Sequence, residues 1–271
     1  MSEYFIILGR KYLLLYYTMS ALSIVVTVVV IVLIFMILRY FLADPYTMQN
    51  MQDGKVSSTI PASALATNGS DVPSSNFAYS VWFYVNNWNY RYGEPKVIFG
   101  RMGALSGAGA GSIDGVNGLD PCPAVVLGAV ENNVSISLGC FPGIDQQPTT
   151  PGGKTVVHTC SVSNVPIQKW VNLAISVYGR SMDVYLDGKL VRTCLLPGIA
   201  NINNNADVLV TPNGGFEGWT SKLQYYPNSI NPQQAWNIYT QGYSSWSGMF
   251  SAYQIKLSLV ENGNTQSSIT I

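Results

Sequence analysis

Few residues in this chain have the types and spacing that chemistry needs. The single histidine, His158, sits in Thr155-Val-Val-His-Thr159, a β-rich run. A Ser–His–acid relay would have to use it, yet no Gly-x-Ser-x-Gly turn presents a serine. His158 is therefore expected to be a structural side chain. Gly107-Ala-Gly-Ala-Gly111 has the composition of a phosphate loop, but no helical pattern follows it. Gly153-Lys-Thr155 ends like a P-loop, with Pro148 where the first glycine belongs. Both are expected to be ordinary loops. Asp114, Asn117 and Asp120 could offer oxygens to calcium, but their spacing fits no specific calcium-loop signature. With no Cys-x-x-Cys pair and one histidine, a zinc site is not expected. No cofactor follows from these residues.

Binding chemistry is better represented. Asn86-Asn-Trp-Asn-Tyr-Arg-Tyr92 places Trp88, Tyr90 and Tyr92 among amides in a loop. Rings beside planar polar groups are the constituents of a sugar site. Aromatic rings are also the usual anchors of protein interfaces, and packing at the domain edge or on a partner protein is the preferred reading. Asn68-Gly-Ser70 and Asn133-Val-Ser135 are glycosylation sequons, making Asn68 and Asn133 candidate acceptors.

These residues must be positioned by strands. Phe77, Tyr79, Val81, Phe83 and Val85 alternate along one face of a run, and Lys96–Phe99 is a second run. Ala124–Val130 and Val134–Leu138 flank Glu131-Asn-Asn133 as a hairpin. Val171–Tyr178 turns at Gly179-Arg180 into Asp183–Leu186. Asp187-Gly188 turns that strand into Leu190–Thr193, and Asp-Gly suits the φ > 0 positions of a type I′ turn. Tyr253–Val260 is expected to close the domain. One short helix is predicted at Pro232–Tyr239, with Asn231 as N-cap and Pro232 in the first helical position. Many short strands with regular turns indicate an antiparallel sandwich or barrel.

The hairpin turning at Glu131–Asn133 sets Cys122 and Cys140 nearly opposite each other across its open end. That arrangement suits a disulfide, with Cys160 and Cys194 paired by exclusion. Four buried free thiols are the alternative, favoured by a reducing compartment.

The N-terminal region is different. From Tyr12 to Leu38 the chain carries no charge, and these 27 residues would form a helix of ~40 Å. That exceeds a hydrocarbon core of ~30 Å. Tyr12, Tyr16 and Tyr17 at one end and Tyr40 and Phe41 at the other suit interfacial belts. Arg10 and Lys11 against Arg39 favour an N-terminus on the cytosolic side. Cleavage as a signal peptide is not expected, because the apolar run is too long and Phe41–Pro45 is a poor site. Residues 43–75, rich in Ser, Thr, Ala, Pro and Asn, read as a linker arm.

Charged residues make up only 10% of the chain, 14 basic against 14 acidic. Soluble domains average about 25%. Without a basic field, nucleic acid is not an expected partner.

Trp82, the strand Trp170–Tyr178, the hairpin Val184–Val191 with its Tyr-x-Asp-Gly-Lys, and the segment Gly215–Tyr226 followed by Ile238–Gly242 resemble the concanavalin A-like lectin/glucanase superfamily, laminin-G branch. The resemblance covers residues 76–260 and implies a jelly roll of two packed antiparallel sheets. Glycoside hydrolases of that superfamily carry a Glu-x-Asp-x-Glu strand that places two carboxylates on one face. No such triplet exists here; Asp183 and Asp187 share a strand face, but Asp187 belongs to the turn. No catalytic residue is expected. Anchor, linker and closing segment together resemble membrane and minor capsid proteins of large DNA viruses.

The expectation is therefore all-β: an antiparallel jelly-roll sandwich preceded by one transmembrane helix. Its parts are a tail (1–11), anchor (12–42), linker (43–75), sandwich (76–260) and C-terminal tail (261–271). The expected function is non-enzymatic: a single-pass virion membrane or capsid component tethering a protein shell to a membrane. The alternative is a membrane-anchored glycan-binding lectin. Expected partners are the lipid membrane, capsid proteins and, for the alternative, glycans.

Overall fold

A computed structural model describes residues 23–34, 36, 44–65, 75–104, 112–113, 116–149, 151–243, 256–261 and 264–270. The chain divides into two compact units, Met1–Pro45 and Tyr46–Ile271. In the first, residues 23–34 form helix α1, whose apolar side chains, from Ile24 to Ile34, are exposed. Among the described residues no helix is long and apolar enough to cross a membrane. Most of the anchor expected over 12–42 lies outside the described residues.

The second unit is built from strands. In order they are β1 (Thr47–Gln49), β2 (Gln52–Asp53), β3 (Ser58–Ile60), β4 (Phe77–Asn87), β5 (Lys96–Ala104), β6 (Ser112–Ile113) and β7 (Val116–Asn117). Then come β8 (Leu119–Leu127), β9 (Val134–Cys140), β10 (Val156–Val162), β11 (Trp170–Tyr178), β12 (Ser181–Leu186) and β13 (Lys189–Leu195). After β14 (Val208–Val210) and β15 (Glu217–Tyr226) follow helix α2 (Pro232–Thr240), β16 (Lys256–Glu261) and β17 (Asn264–Thr270). One sheet has the order β1-β15-β4-β11-β12-β13, with β2 also on β15; the other runs β10-β9-β8-β5-β14-β3. Their pairings are antiparallel, and the two sheets pack as a sandwich.

Alternation in β4 explains the packing. Phe77, Tyr79, Val81, Phe83 and Val85 enter one buried cluster with Val171, Leu173, Ile175 and Val177 of β11 and Val125, Ile136 and Leu138 of the opposite sheet. Each such fully buried side chain contributes roughly 1.5–3 kcal/mol. The other face of β4 is covered too. Ala78 and Ala174 pack with Ala235 and Ile238 of α2, and Trp82 stacks on Tyr239 with ring centroids 5.6 Å apart. Burial on both faces explains why β4 reads as a nearly continuous apolar run. The helix starts as its sequence implies: Asn231 accepts from the Gln234 N–H, Gln234 returns the bond, and Pro232 is in the first turn. Asp187 and Gly188 both have positive φ, 48° and 72°, as the Asp-Gly turn requires.

Two boundaries differ from expectation. Within the segment read as a linker arm, β1 and β2 pair with β15, and β3 pairs with β14. Ile60 and Leu65 are buried in the main core. Short strands of polar residues lack a strong alternation, so only their position beside two open sheet edges reveals them. At the other end, β16 does not close the sandwich: it pairs with β17, a strand drawn from the expected tail.

Candidate binding groove

Three loops meet at one end of the sandwich: residues 88–95 after β4, 128–133 after β8 and 163–169 after β10. Local polar chemistry shapes them. Asn87 Oδ1 accepts from the Asn89 N–H at 3.0 Å, an Asx-type turn that starts the first loop. Gly93 N–H donates to Ala129 O at 3.0 Å, joining it to the second. The second and third are joined reciprocally, Val165 N–H to Asn132 O at 2.8 Å and Asn132 Nδ2 to Val165 O at 3.1 Å. Asn164 and Gln168 both adopt the left-handed conformation, φ 58° and 56°.

Between these loops lies an open groove of about 520 Å³, lined by Trp88, Val130, Glu131, Asn132, Asn133, Ser163, Asn164 and Ile167. Trp88 is half-buried against the main core, and its indole N–H donates to Val130 O at 2.9 Å. Beneath it is Lys96, fully buried, its ammonium 4.8 Å from the ring centroid and 3.3 Å from Ala129 O. Burial first, and Arg91 second, push the Lys96 ammonium below its usual pKa. The groove thus offers one fixed aromatic ring, aliphatic carbons, amides, the Ser163 hydroxyl and one carboxylate, that of Glu131.

The three aromatic residues of the loop do not form one platform. Trp88 lines the groove; Tyr90 turns away, its hydroxyl donating to Gly214 O at 3.2 Å with Lys55 over its ring. Tyr92 is 58% exposed on the loop. Arg91, between them, bonds Asn213 O and pairs with Glu94 at 2.7 Å. Sequence reasoning missed Asn132, Ser163, Asn164 and Ile167. They come from separate loops, and the only local signal was a cluster of Asn and Ser in two turns.

The other candidates that are described make contacts within the fold. Cys160 and Cys194 are disulfide-bonded, whereas Cys122 and Cys140 are buried free thiols. The expected Cys122–Cys140 bond is not formed: both thiols are free, and the β8–β9 ladder that would align them ends at Ala124 opposite Ser137. His158 is half-buried in β10 opposite Leu138. Asp183 accepts from Thr193 Oγ1 at 2.6 Å; Asp187 accepts from the Asn172 N–H at 3.0 Å and meets Lys169 at 3.0 Å. Asp120 is buried, and its carboxylate accepts from the Lys154 N–H, the Thr155 N–H and Thr155 Oγ1 at 2.7–3.0 Å. Those donors occupy the oxygens that a calcium ion would need. Asp114 and the Asn117 side chain lie outside the described residues, as do Gly107–Gly111 and Asn68. Among the described residues no group of three or more His, Cys, Asp or Glu could hold a metal. Asn133 is half-buried in the β8–β9 turn, its Oδ1 enclosed without a hydrogen bond.

The chain matches no protein-family model and no curated protein. Among solved structures it is similar to a botulinum neurotoxin serotype D ligand-binding domain in complex with N-acetylneuraminic acid, at 9% identity and TM-score 0.47 over 72% of this chain and 50% of that one. It is also similar to the serotype G binding domain, at 13% identity and TM-score 0.43 over 70% and 46%. A third is the serotype D receptor-binding domain, at 10% identity and TM-score 0.46 over 70% and 43%. The chain spans half or less of the length of each of these structures.

Proposed function

We propose that the chain is a non-enzymatic, membrane-anchored binding module whose sandwich takes carbohydrate in the Trp88 groove. The observation carrying this reading is the groove's composition: a fixed indole in a lining that includes Asn132, Asn133 and Asn164. A pyranose presents C–H bonds on one face and hydroxyls around its rim, which suit a ring and planar amides. The strand order of the two sheets supports a concanavalin A-like jelly roll. The exposed apolar helix α1, inside an uncharged run of 27 residues, supports the anchor.

The test is retention of the full chain, held in detergent micelles, on a broad glycan array. Binding that Trp88→Ala abolishes is expected; no retention of the native chain overturns the reading. A second reading, a tether for a protein shell, is supported by β13. This edge strand leaves Leu190, Val191 and Leu195 exposed at 50, 46 and 74%. Replacing Leu190 and Leu195, which line neither cleft, by Ser should then release the chain from purified particles and leave glycan retention intact.

A further inference from the structure

A second cleft, of about 410 Å³, adjoins the first and shares Ser163 and Asn164 with it. It lies where the edge strands of the two sheets, β10 and β13, come together. Val162, Val171 and Leu186 form apolar lining, and Arg192 and Asp187 bring charge. Asp187 is already engaged, by Lys169 and by the Asn172 N–H. Arg192 is not balanced in this way. It is exposed, its Nη1 donates to Ser161 O at 2.6 Å, and it forms no ion pair among the described residues, where the pairs are Arg91–Glu94 and Lys169–Asp187. A carbonyl on the opposite sheet therefore holds a guanidinium in place without neutralising it. The planar fork has five N–H donors, and bidentate pairing with an oxyanion is its strongest interaction. The Cys160–Cys194 disulfide flanks this contact, joining the same two strands beside Ser161 and two residues from Arg192. The cleft is thus preformed, which reduces the ordering cost of binding.

We infer that the two clefts act as one groove, in which Trp88 receives a neutral sugar ring and Arg192 receives the acidic group of a following sugar, a carboxylate or a sulfate. This rests on the carbohydrate reading of the Trp88 groove and extends it to a ligand class: acidic oligosaccharides of at least two units. Each cleft alone falls in the size range of ligand pockets, roughly 300–1,000 Å³.

The experiment prints one oligosaccharide backbone in neutral, carboxylated and sulfated forms and measures binding of the full chain in detergent micelles. At least one acidic form is expected to bind about tenfold more tightly than the neutral form, the advantage shrinking with added salt. The carboxylated and sulfated arms tell which acid is preferred. Arg192→Gln should remove the acid advantage while neutral binding persists; Arg192→Lys, which keeps charge without the fork, should retain part of it. Trp88→Ala should weaken all forms together. Equal binding of neutral and acidic forms, or an acid advantage that survives Arg192→Gln, overturns the inference and leaves the carbohydrate reading standing. Absence of binding to every form overturns both.

Discussion

Cys160 and Cys194 join the two sheets at their shared edge, with Cα atoms 6.2 Å apart and 34 residues of separation. Cys160 lies in β10 and Cys194 in β13, each the last strand of its sheet. A loop of that length contributes about 3–4 kcal/mol by restricting the unfolded chain. The Cys160→Ser/Cys194→Ser double variant is expected to lose that much in urea unfolding. A loss below about 1 kcal/mol would show that the bond does not stabilise the sandwich. Non-reducing peptide mapping should find this link alone, with Cys122 and Cys140 alkylated only after denaturation.

Rising alkaline pH should lower the stability of the domain in two stages. Burial pushes the thiols of Cys122 and Cys140 above their ordinary 9.0 and the phenols of Tyr79, Tyr185 and Tyr225 above 10.0. Where folded-state pKa values exceed unfolded ones, the native state holds more protons, so stability is fully present below the unfolded value and lost as pH rises beyond it. Each fully buried group costs about 1.4 kcal/mol per pH unit in that window. Lys96, lowered by burial, acts in the opposite sense, adding stability as pH rises toward 10.5. Urea midpoints measured from pH 8 to 11 should begin to fall near 9. In Cys122→Ala/Cys140→Ala the fall should begin nearer 10; an unchanged onset would remove the thiols from this account.

Trp88 and Tyr92, four residues apart, should behave differently. Trp88→Ala strips the cover from Lys96 and opens the main core, so a loss of about 2 kcal/mol is expected together with loss of glycan retention. Tyr92→Ala, at an exposed site, should change stability by less than about 0.5 kcal/mol and leave retention intact. Thermal melts and array binding on both variants decide it. Equal loss of retention would move the platform to the loop tip.

Removal of residues 1–45 should leave a folded β domain free of detergent. Tyr46–Ile271 is a compact unit containing both sheets, including the edge strands from residues 47–60. A cut at residue 75 should instead expose two open edges and the seats of Ile60 and Leu65, giving aggregation. Circular dichroism and size-exclusion profiles of the two fragments should separate; equally monomeric, equally stable fragments would mean β1–β3 are dispensable.

How much of this protein was legible in its sequence depended on the range of the interaction responsible. Alternation in β4, the Asp187-Gly188 turn and the Asn231–Gln234 cap are decided by neighbours within a few residues, and each was readable directly. Hairpin pairing of β8 with β9 was readable too, but its register was not. The ladder stops at Ala124 opposite Ser137, which leaves Cys122 and Cys140 unbonded, whereas Cys160 and Cys194 are joined as expected. Trp88 could be nominated from its loop, yet Asn132 and Asn164 reach its groove, and Arg192 the adjoining cleft, from separate segments. Their meeting depends on which sheet edges lie side by side, and β1 to β3 are strands only because β15 and β14 offer them unpaired backbone. The sequence by itself determined the alternating faces, the turns and the uncharged N-terminal run, because those follow from side-chain period and local φ. Tertiary structure alone decided that Cys122 and Cys140 stay unbonded, which aromatic ring lines the groove and where a lone guanidinium stands, because those require contacts between residues far apart in the chain.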